Sequence, residues 1–355
     1  MSDSPDSRDW PATGGGEALS VVIVIHDSAD ALERSLPPLL EQLRAGDELI
    51  LCDNDSGDGG ADLARRLAPR ATIIAAGVNV GFAAGCNLGA ERAGNELIVL
   101  LNPDVVVAAG WRDAIELPFR ERRGWSAWQG LVTAEGGARL NSRGGTVHFS
   151  GIAWADGAGS ARSAGPDCPT EVAFASGACL AIHRAVWREL DGFSDPYFLY
   201  HEDADLGLRL WLAGHRVGIE PRAVCDHDYD FDKGARKWRY LERNRWATIL
   251  RTYPAKLLLL LAPALFATEL ALLVVAAFGG WLPQKLRANA EGLRRLPRLL
   301  RERRTIQAAA EIDARTFADH CLKPDLDSAY LGRASDSRLL KALLRTYWRA
   351  TLSLL

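Results

Sequence analysis

The six cysteines, Cys52, Cys86, Cys168, Cys179, Cys225 and Cys321, form no Cys-x-x-Cys pair. That absence argues against a zinc cage or a disulfide framework, and free thiols in a reducing compartment are expected. No Gly-x-Gly-x-x-Gly fingerprint is present, which argues against a dinucleotide bound in the Rossmann manner. The basic residues are mostly arginine, but no nucleic-acid-binding motif accompanies them, so nucleic acid is not an expected partner. Residues 1–17 are polar, acidic and rich in Gly, Pro and Ser, without the basic-then-apolar pattern of a signal peptide; a disordered tail is expected. No internal repeat is visible.

What is there is ordinary in bulk and uneven in distribution. Of 355 residues, 48% are hydrophobic and 25% charged, which excludes a collagenous or largely disordered chain. The net charge of −3 hides a split: residues 1–282 carry 27 Lys+Arg against 37 Asp+Glu, and residues 283–355 carry 15 against 8. An acidic front and a basic back point to different partners.

From Leu19 short apolar runs alternate with helical segments, the pattern of βαβ units. Strands are expected at Leu19–His26, Asp47–Cys52, Ala71–Ala76 and Glu96–Leu101. Helices are expected at Ala31–Arg44, interrupted by Pro37-Pro38, and at Ala61–Leu67 and Gly81–Ala93. Residues 125–180 lose this rhythm and read as a mixed second half, with strands near Ala127–Val132, Thr146–Phe149 and Ala173–Ile182. Ala185–Leu190 and Glu202–Ala213 read as helices, and Arg216–Ile219 as a closing strand. The fold class is therefore α/β, a mostly parallel Rossmann-like sheet with a mixed second half. In such sheets ligands bind beyond the carboxyl ends of the strands.

Polar residues gather at those ends. Asp53, with Asn54 and Asp55, follows an apolar strand, where a carboxylate suits a base N–H or a ribose hydroxyl, or caps a turn. Asn102-Pro103-Asp104 presents a carboxylate suited to Mg²⁺ or Mn²⁺, or again a turn. In Asn79–Asn87 the glycines permit close approach of a ligand at a helix start, or tight packing of that helix on the sheet. Tyr200-His201-Glu202-Asp203-Ala204-Asp205 puts three carboxylates at a helix start. They would cap the helix, or, crowded behind an aromatic approach at Pro196–Tyr200, poise one of their number as a base. His227 is a ligand only where the fold brings it to Asp104.

Taken in order, Asp53–Ser56, the Asn-x-Gly-Phe-x-x-Gly-x-Asn run at Asn79–Asn87, Leu101–Asp104, Ser176–Leu180, Gly192-Phe193, Phe198–Leu206 and Glu242-Arg243-Asn244-Arg245 resemble family 2 glycosyltransferases of the rhamnosyltransferase and galactofuranosyltransferase-like branch. The match covers about residues 19–250. The resemblance implies a GT-A fold, a nucleotide-diphosphate sugar donor (dTDP- or UDP-linked) and inversion at the anomeric carbon. It implies Asp203 as catalytic base with Glu202 beside it, and Asp53 on the pyrimidine base. Asn54, Asn79, Gly81, Asn87 and Asn102 would surround the nucleotide. Asp104 and His227 would be metal ligands for Mg²⁺ or Mn²⁺, and Trp128, Gly177, Ala178, Asp205, Arg243 and Asn244 would contact substrate. Asn102 stands where many GT-A enzymes have a second Asp, leaving one carboxylate at that motif. A sugar nucleotidyltransferase is the alternative enzyme, but His26-Asp27-Ser28-Ala29 does not resemble its Gly-rich basic loop. A non-catalytic membrane adaptor is the other, though it would tolerate loss of carboxylates that are all present.

The back of the chain divides further. Residues 18–232 would form the GT-A catalytic domain and 233–256, with eight Lys/Arg and one acid, a basic connecting helix. Residues 257–282 are apolar apart from Thr268 and Glu269, and about 39 Å long if helical, enough to cross a bilayer core of about 30 Å. Basic flanks on both sides favour a segment lying in an anionic membrane surface over a single span, with a buried or oligomer helix as the remaining reading. Residues 283–355 would be a basic helical region, with Leu293, Leu296, Leu299 and Leu300 set among arginines. The expected acceptor is a lipid-linked or glycan hydroxyl at the cytoplasmic face of the membrane.

Overall fold

In the computed structural model, which describes residues 17–227, 234–327 and 337–355, the first hundred residues build the parallel side of the sheet. Strands β1 (Leu19–Ile25), β2 (Glu48–Asp53), β3 (Thr72–Ala75) and β4 (Leu97–Leu101) alternate with helices α1 (Ala29–Leu40), α2 (Gly60–Leu67) and α3 (Phe82–Glu91). β1 pairs in parallel with β2 and β4, and β2 with β3. Pro37 and Pro38 lie inside α1 near its end, so they close the helix instead of interrupting it. The expected N-terminal tail falls outside the described residues except for Glu17.

The mixed half adds β5 (Val106–Val107), α4 (Trp111–Arg120), β6 (Ala127–Ala134), β7 (Arg139–Ser142), β8 (Gly145–His148), β9 (Ala153–Ala155), β10 (Thr170–Glu171), β11 (Cys179–His183), α5 (Arg184–Glu189), α6 (Glu202–Leu212) and β12 (Val217–Asp226). The main sheet runs β10-β12-β6-β11-β4-β1-β2-β3. β11 is antiparallel to both β4 and β6, which is where the parallel half ends. β12 is ten residues long and lies inside the sheet, parallel to β6, with a register shift between Glu220 and Val224. The expected four-residue closing strand was only its start, because the irregularity at Glu220-Pro221-Arg222 breaks the alternation.

Successive strand side chains point to opposite faces. Val22, Val24, Ile50, Ile98 and Leu100 pack one face against α3 and α6. Val21, Ile23, Leu49, Leu51 and Val99 pack the other against Leu32 and Leu36 of α1 and Trp111 and Ile115 of α4. Each such side chain contributes about 1.5–3 kcal/mol on full burial. Helix α3 sits unusually close: a Cβ on Gly85 or Gly89 would lie 2.8 or 2.3 Å from the side chains of Val24 or Val22. Those glycines serve helix-to-sheet packing.

Behind the sheet stand α7 (Arg236–Thr252), α8 (Ala255–Phe278), α9 (Leu282–Ala308), α10 (Ala314–Cys321), β13 (Leu322–Lys323) and α11 (Arg338–Leu354). β13 joins β8 and β9 in a small second sheet. The expected connecting segment 233–256 begins outside the described residues at Lys233. Its helix, α7, has Glu242, Arg243, Asn244 and Arg245 buried, so it packs into the body of the protein. After α8 the chain reverses at Gly279-Gly280, with Gly280 at φ +74°, and α9 returns along α7.

α8 is long and apolar enough to cross a membrane by length and composition. Leu257, Leu261 and Leu265 are buried, whereas Leu259, Phe266, Leu270, Val274 and Phe278 form an exposed stripe along the opposite side. Glu269 is turned inward. It accepts from Arg245 Nη2 (2.7 Å), Trp246 Nε1 (3.0 Å) and Asn289 Nδ2 (2.9 Å), and pairs with the buried Lys285 Nζ at 2.6 Å. Glu242 pairs with the same Arg245 and Lys285, which makes a closed assembly of two acids and two bases across α7, α8 and α9.

Candidate active site

Helix α6 begins with Glu202, and its first turn faces a cavity of about 310 Å³ beyond the ends of β4 and β12. Asp203 Oδ1 accepts from the Ala204 N–H (2.8 Å) and Oδ2 from the Gly177 N–H (3.2 Å). Burial nevertheless pushes the Asp203 carboxyl above the usual carboxylate range. Glu202 is pushed well above it, by burial first and then by the charge of Asp203. Its Oε2 is buried without a hydrogen-bond partner among the described residues. The backbone donors make Asp203 the first of the pair to ionise and leave Glu202 holding a proton to higher pH. His201, next to them, is held neutral, its pKa pushed down to about 4 by burial and then by Arg245.

The loop entering this helix is strained. Phe198, Tyr200 and His201 all have φ between +62° and +69°, a region few residues with side chains adopt. It is clamped from α7: Asn244 Nδ2 is directed at the carbonyls of Tyr197 (3.0 Å), Leu199 (2.9 Å) and Tyr200 (2.7 Å), and Arg243 Nη2 donates to Tyr197 O at 2.8 Å. Gly81 lets the other side approach, since a Cβ there would lie 2.5 Å from the Phe198 ring.

His227 lines the same cavity, and its Nε2 lies 3.1 Å from Asp104 Oδ1, although 123 positions separate them in the chain. His227, buried at the end of β12, is fixed by its N–H on Thr133 O (2.8 Å) and its carbonyl under Asn141 Nδ2 (2.8 Å). A carboxylate oxygen and an imidazole nitrogen together fit a Mn²⁺ or Mg²⁺ ion. Among the described residues no group of three His, Cys, Asp or Glu converges, so for a metal ion this pair alone would be a partial shell.

Asn102, Gly177 and Ala178 line the same cavity as Glu202, Asp203 and His227. Other residues expected at the site are placed elsewhere. Trp128 is fully buried in the sheet core, its Nε1 donating to Ile115 O at 2.8 Å, and it does not line the cavity of Asp203. Asp205 is buried on the far side of α6, bound by Tyr197 Oη (2.9 Å), Arg209 Nε (2.7 Å) and Arg251. Although burial opposes it, Arg251 and Arg209 hold Asp205 below the usual carboxylate range. Asn54 grips the Asn79–Gly81 loop, donating to Asn79 Oδ1 and Gly81 O at 3.1 Å and accepting from Val80 N at 3.0 Å. Asn79 Oδ1 also accepts from the Gly81 N–H at 3.0 Å. Asn87 bonds both backbone groups of Phe193, at 2.8 and 3.0 Å. Asn244 likewise holds backbone. Asp53 is half-buried and accepts from the Ser56 N–H at 3.1 Å, the turn contact foreseen for it. Sequence reasoning did not pick out the apolar end of the cavity, Ile152, Trp154, Trp238, Leu241, Leu272 and Trp281. The signal was faint: three tryptophans scattered over three separate segments.

A sheet of this topology, with carboxylates and a His–Asp couple gathered beyond the strand ends, is a GT-A sugar-transferase scaffold. A structure of GalNAc-T7 with UDP, GalNAc and Mn²⁺ shares it, at a TM-score of 0.56 and 14% identity, over 68% of this chain and 49% of that chain. The chain thus spans about half of that protein. The family model for glycosyl transferase family 2 matches residues 20–123, and that for glycosyl transferase family group 2 matches residues 119–286. The chain belongs to the family 2 glycosyltransferases. It is 28% identical over 234 residues to N-acetylglucosaminyl-diphospho-decaprenol L-rhamnosyltransferase of Mycobacterium tuberculosis, covering 59% of this chain and 76% of that protein. It is also 28% identical over 224 residues to the O-antigen biosynthesis protein RfbC of Myxococcus xanthus, covering 57% of this chain and 16% of that one.

Proposed function

We propose that this glycosyltransferase moves a sugar from a dTDP- or UDP-linked donor to a hydroxyl of a lipid-linked glycan, with inversion, in cell-envelope polysaccharide or glycolipid synthesis. The observation that carries the reading is one cavity lined by Glu202, Asp203 and His227, with Asp104 Oδ1 3.1 Å from the His227 imidazole. Asp203 takes the proton of the acceptor hydroxyl as that oxygen attacks the anomeric carbon. The bond to the diphosphate breaks on the opposite face, and its electrons leave with the phosphate oxygen. A general base of this kind contributes about 10²–10⁴-fold. Glu202, still protonated, donates a hydrogen bond to the acceptor and orients it. Asp104 and His227 would hold a Mg²⁺ or Mn²⁺ ion, which when bound offsets the charge growing on the departing diphosphate. Asp53 would read the pyrimidine.

The acceptor class draws on the mycobacterial relative, whose name specifies a sugar on a diphospho-polyprenol. The exposed stripe of α8 suits an anionic membrane surface at the cytoplasmic face, entered from one side only. A crossing is disfavoured because Glu269, at the middle of α8, is tied to Arg245 and Lys285. The test is nucleotide release from a panel of dTDP- and UDP-sugars with lipid-extract acceptors. Release that needs extract, stops in EDTA and returns with Mg²⁺ or Mn²⁺ is expected. Full turnover in EDTA contradicts Asp104 and His227 as ligands.

A further inference from the structure

The cavity of Asp203 is chemically mixed. Besides Asp203, Glu202 and His227 it is lined by Ile152, Trp154, Leu241, Leu272 and Trp281, from the β9 region, α7, α8 and the turn before α9. Trp154 and Trp281 are buried, and Leu241 and Leu272 are half-buried. Trp281 stacks on Trp238 at 4.8 Å and 15°, so the two indoles lie nearly parallel. Glu242 and Arg245, polar residues of α7 in the same lining, are already committed. Glu242 pairs with Arg245 and Lys285, and Arg245 donates to Ser150 O at 3.0 Å as well as to Glu242 and Glu269. A sugar bound against these residues would need partners for its hydroxyls; a hydrocarbon needs none.

α8 carries this lining out to the surface. Leu272 follows Glu269 by three positions, which puts both on the inward side of the helix. Leu270 and Val274, two positions to either side of Leu272, are 49% and 56% exposed and belong to the stripe that includes Phe266 and Phe278. The same stretch of α8 therefore borders the cavity on one side and the stripe on the other. An acceptor held at a membrane by its lipid must bring its hydroxyl to Asp203 while the chain keeps an apolar setting, and each chain carbon removed from water helps to hold it. A cavity of about 310 Å³ takes only the part of the chain nearest the headgroup, and the stripe receives the remainder.

We propose that Ile152, Trp154, Leu241, Leu272 and Trp281 form a binding site for the hydrocarbon chain of the acceptor, in the cavity that holds Asp203 and beside the exposed stripe of α8. The proposal rests on the reading of the acceptor as lipid-linked. The experiment titrates farnesyl phosphate carrying a photoreactive diazirine on its chain into the full-length protein, without donor or vesicles. Saturable binding is expected, displaced by farnesol but not by inorganic phosphate, with adducts mapped by mass spectrometry to residues 152–155 or 281. Leu241→Asn/Leu272→Asn should weaken it about tenfold or more, with UDP and dTDP affinity unchanged. Leu259→Gln/Phe266→Gln, on the exposed stripe, should bind the probe as wild type does. Leu272→Asn alone, at a half-buried position, keeps the test usable where the double variant fails to fold, with a loss of about threefold expected. Equal affinity in wild type and the Leu241 and Leu272 variants, or adducts confined to the stripe, overturns the proposal. Displacement by N-acetylglucosamine and not by farnesol also overturns it and assigns the indoles to the glycan. Nucleotide release with lipid extract is scored separately. Cavity adducts without extract-dependent release refute the lipid-linked acceptor and leave the hydrocarbon site standing; release without cavity adducts does the reverse.

Discussion

One turn of helix α6 places carboxylates in two opposite environments. Asp205 faces α7, where Arg251, Arg209 and Tyr197 surround it and keep it ionised. Glu202 and Asp203 face the cavity, where burial raises both and no cation pairs with either among the described salt bridges. The same residue type a few positions apart serves anchoring on one side and proton transfer on the other. What separates them is the supply of arginine, Arg209 from the next turn of α6 and Arg251 from α7.

That contrast sets the expected effects. Asp203→Asn should lower transfer by about 10²–10⁴-fold while leaving donor binding intact, read by single-turnover rates beside donor titration. Asp205→Asn should leave Arg209 and Arg251 short of a counter-charge and cost about 3–5 kcal/mol in a denaturant melt, as breaking a buried pair does. Asn244→Ala removes the donor aimed at three carbonyls of the strained loop. It should cost about 1–3 kcal/mol and lower kcat more than it changes the donor KM. Glu202→Gln should do the reverse of Asp205→Asn and raise the melting midpoint near neutral pH, by about 2–4 °C per kcal/mol recovered.

The signs follow from linkage. A carboxylate with a raised folded pKa favours the native state when protonated, and the cost grows as pH climbs from its unfolded value, about 4, to the folded one. Asp205, held low, stabilises above about 4, and that contribution is lost as pH falls through its folded value. The gap in midpoint between Glu202→Gln and Asp205→Asn should therefore narrow as pH is lowered below the ordinary carboxylate range.

Much of this was legible in the sequence. The apolar runs of β1 to β4 announced a parallel sheet because both of its faces are buried. The order of the motifs announced the family. What the sequence did not separate was contact with substrate from support of the chain that makes the contact. Asn54, Asn87 and Asn244 sit in motifs beside the site, and an amide side chain serves a nucleotide or a backbone carbonyl equally well. Only the fold shows that their amides bond neighbouring loops. Trp128 failed for another reason: the resemblance placed it among the substrate contacts, but it lies near the start of β6 with its indole N–H on α4. α4 itself was not foreseen, since charged residues interrupt its apolar positions and Pro118 lies near its end. The Asp104–His227 couple needed the full length of β12 to bring its members together.

The most direct measurement is the pH dependence of kcat/KM for wild type and Asp203→Asn with the same donor and lipid acceptor. An acid limb lying above the ordinary carboxylate value of about 4, absent from the residual rate of Asp203→Asn, is the predicted result. A wild-type limb at the ordinary value, or the same limb persisting in Asp203→Asn, would contradict the assignment of Asp203 as the base.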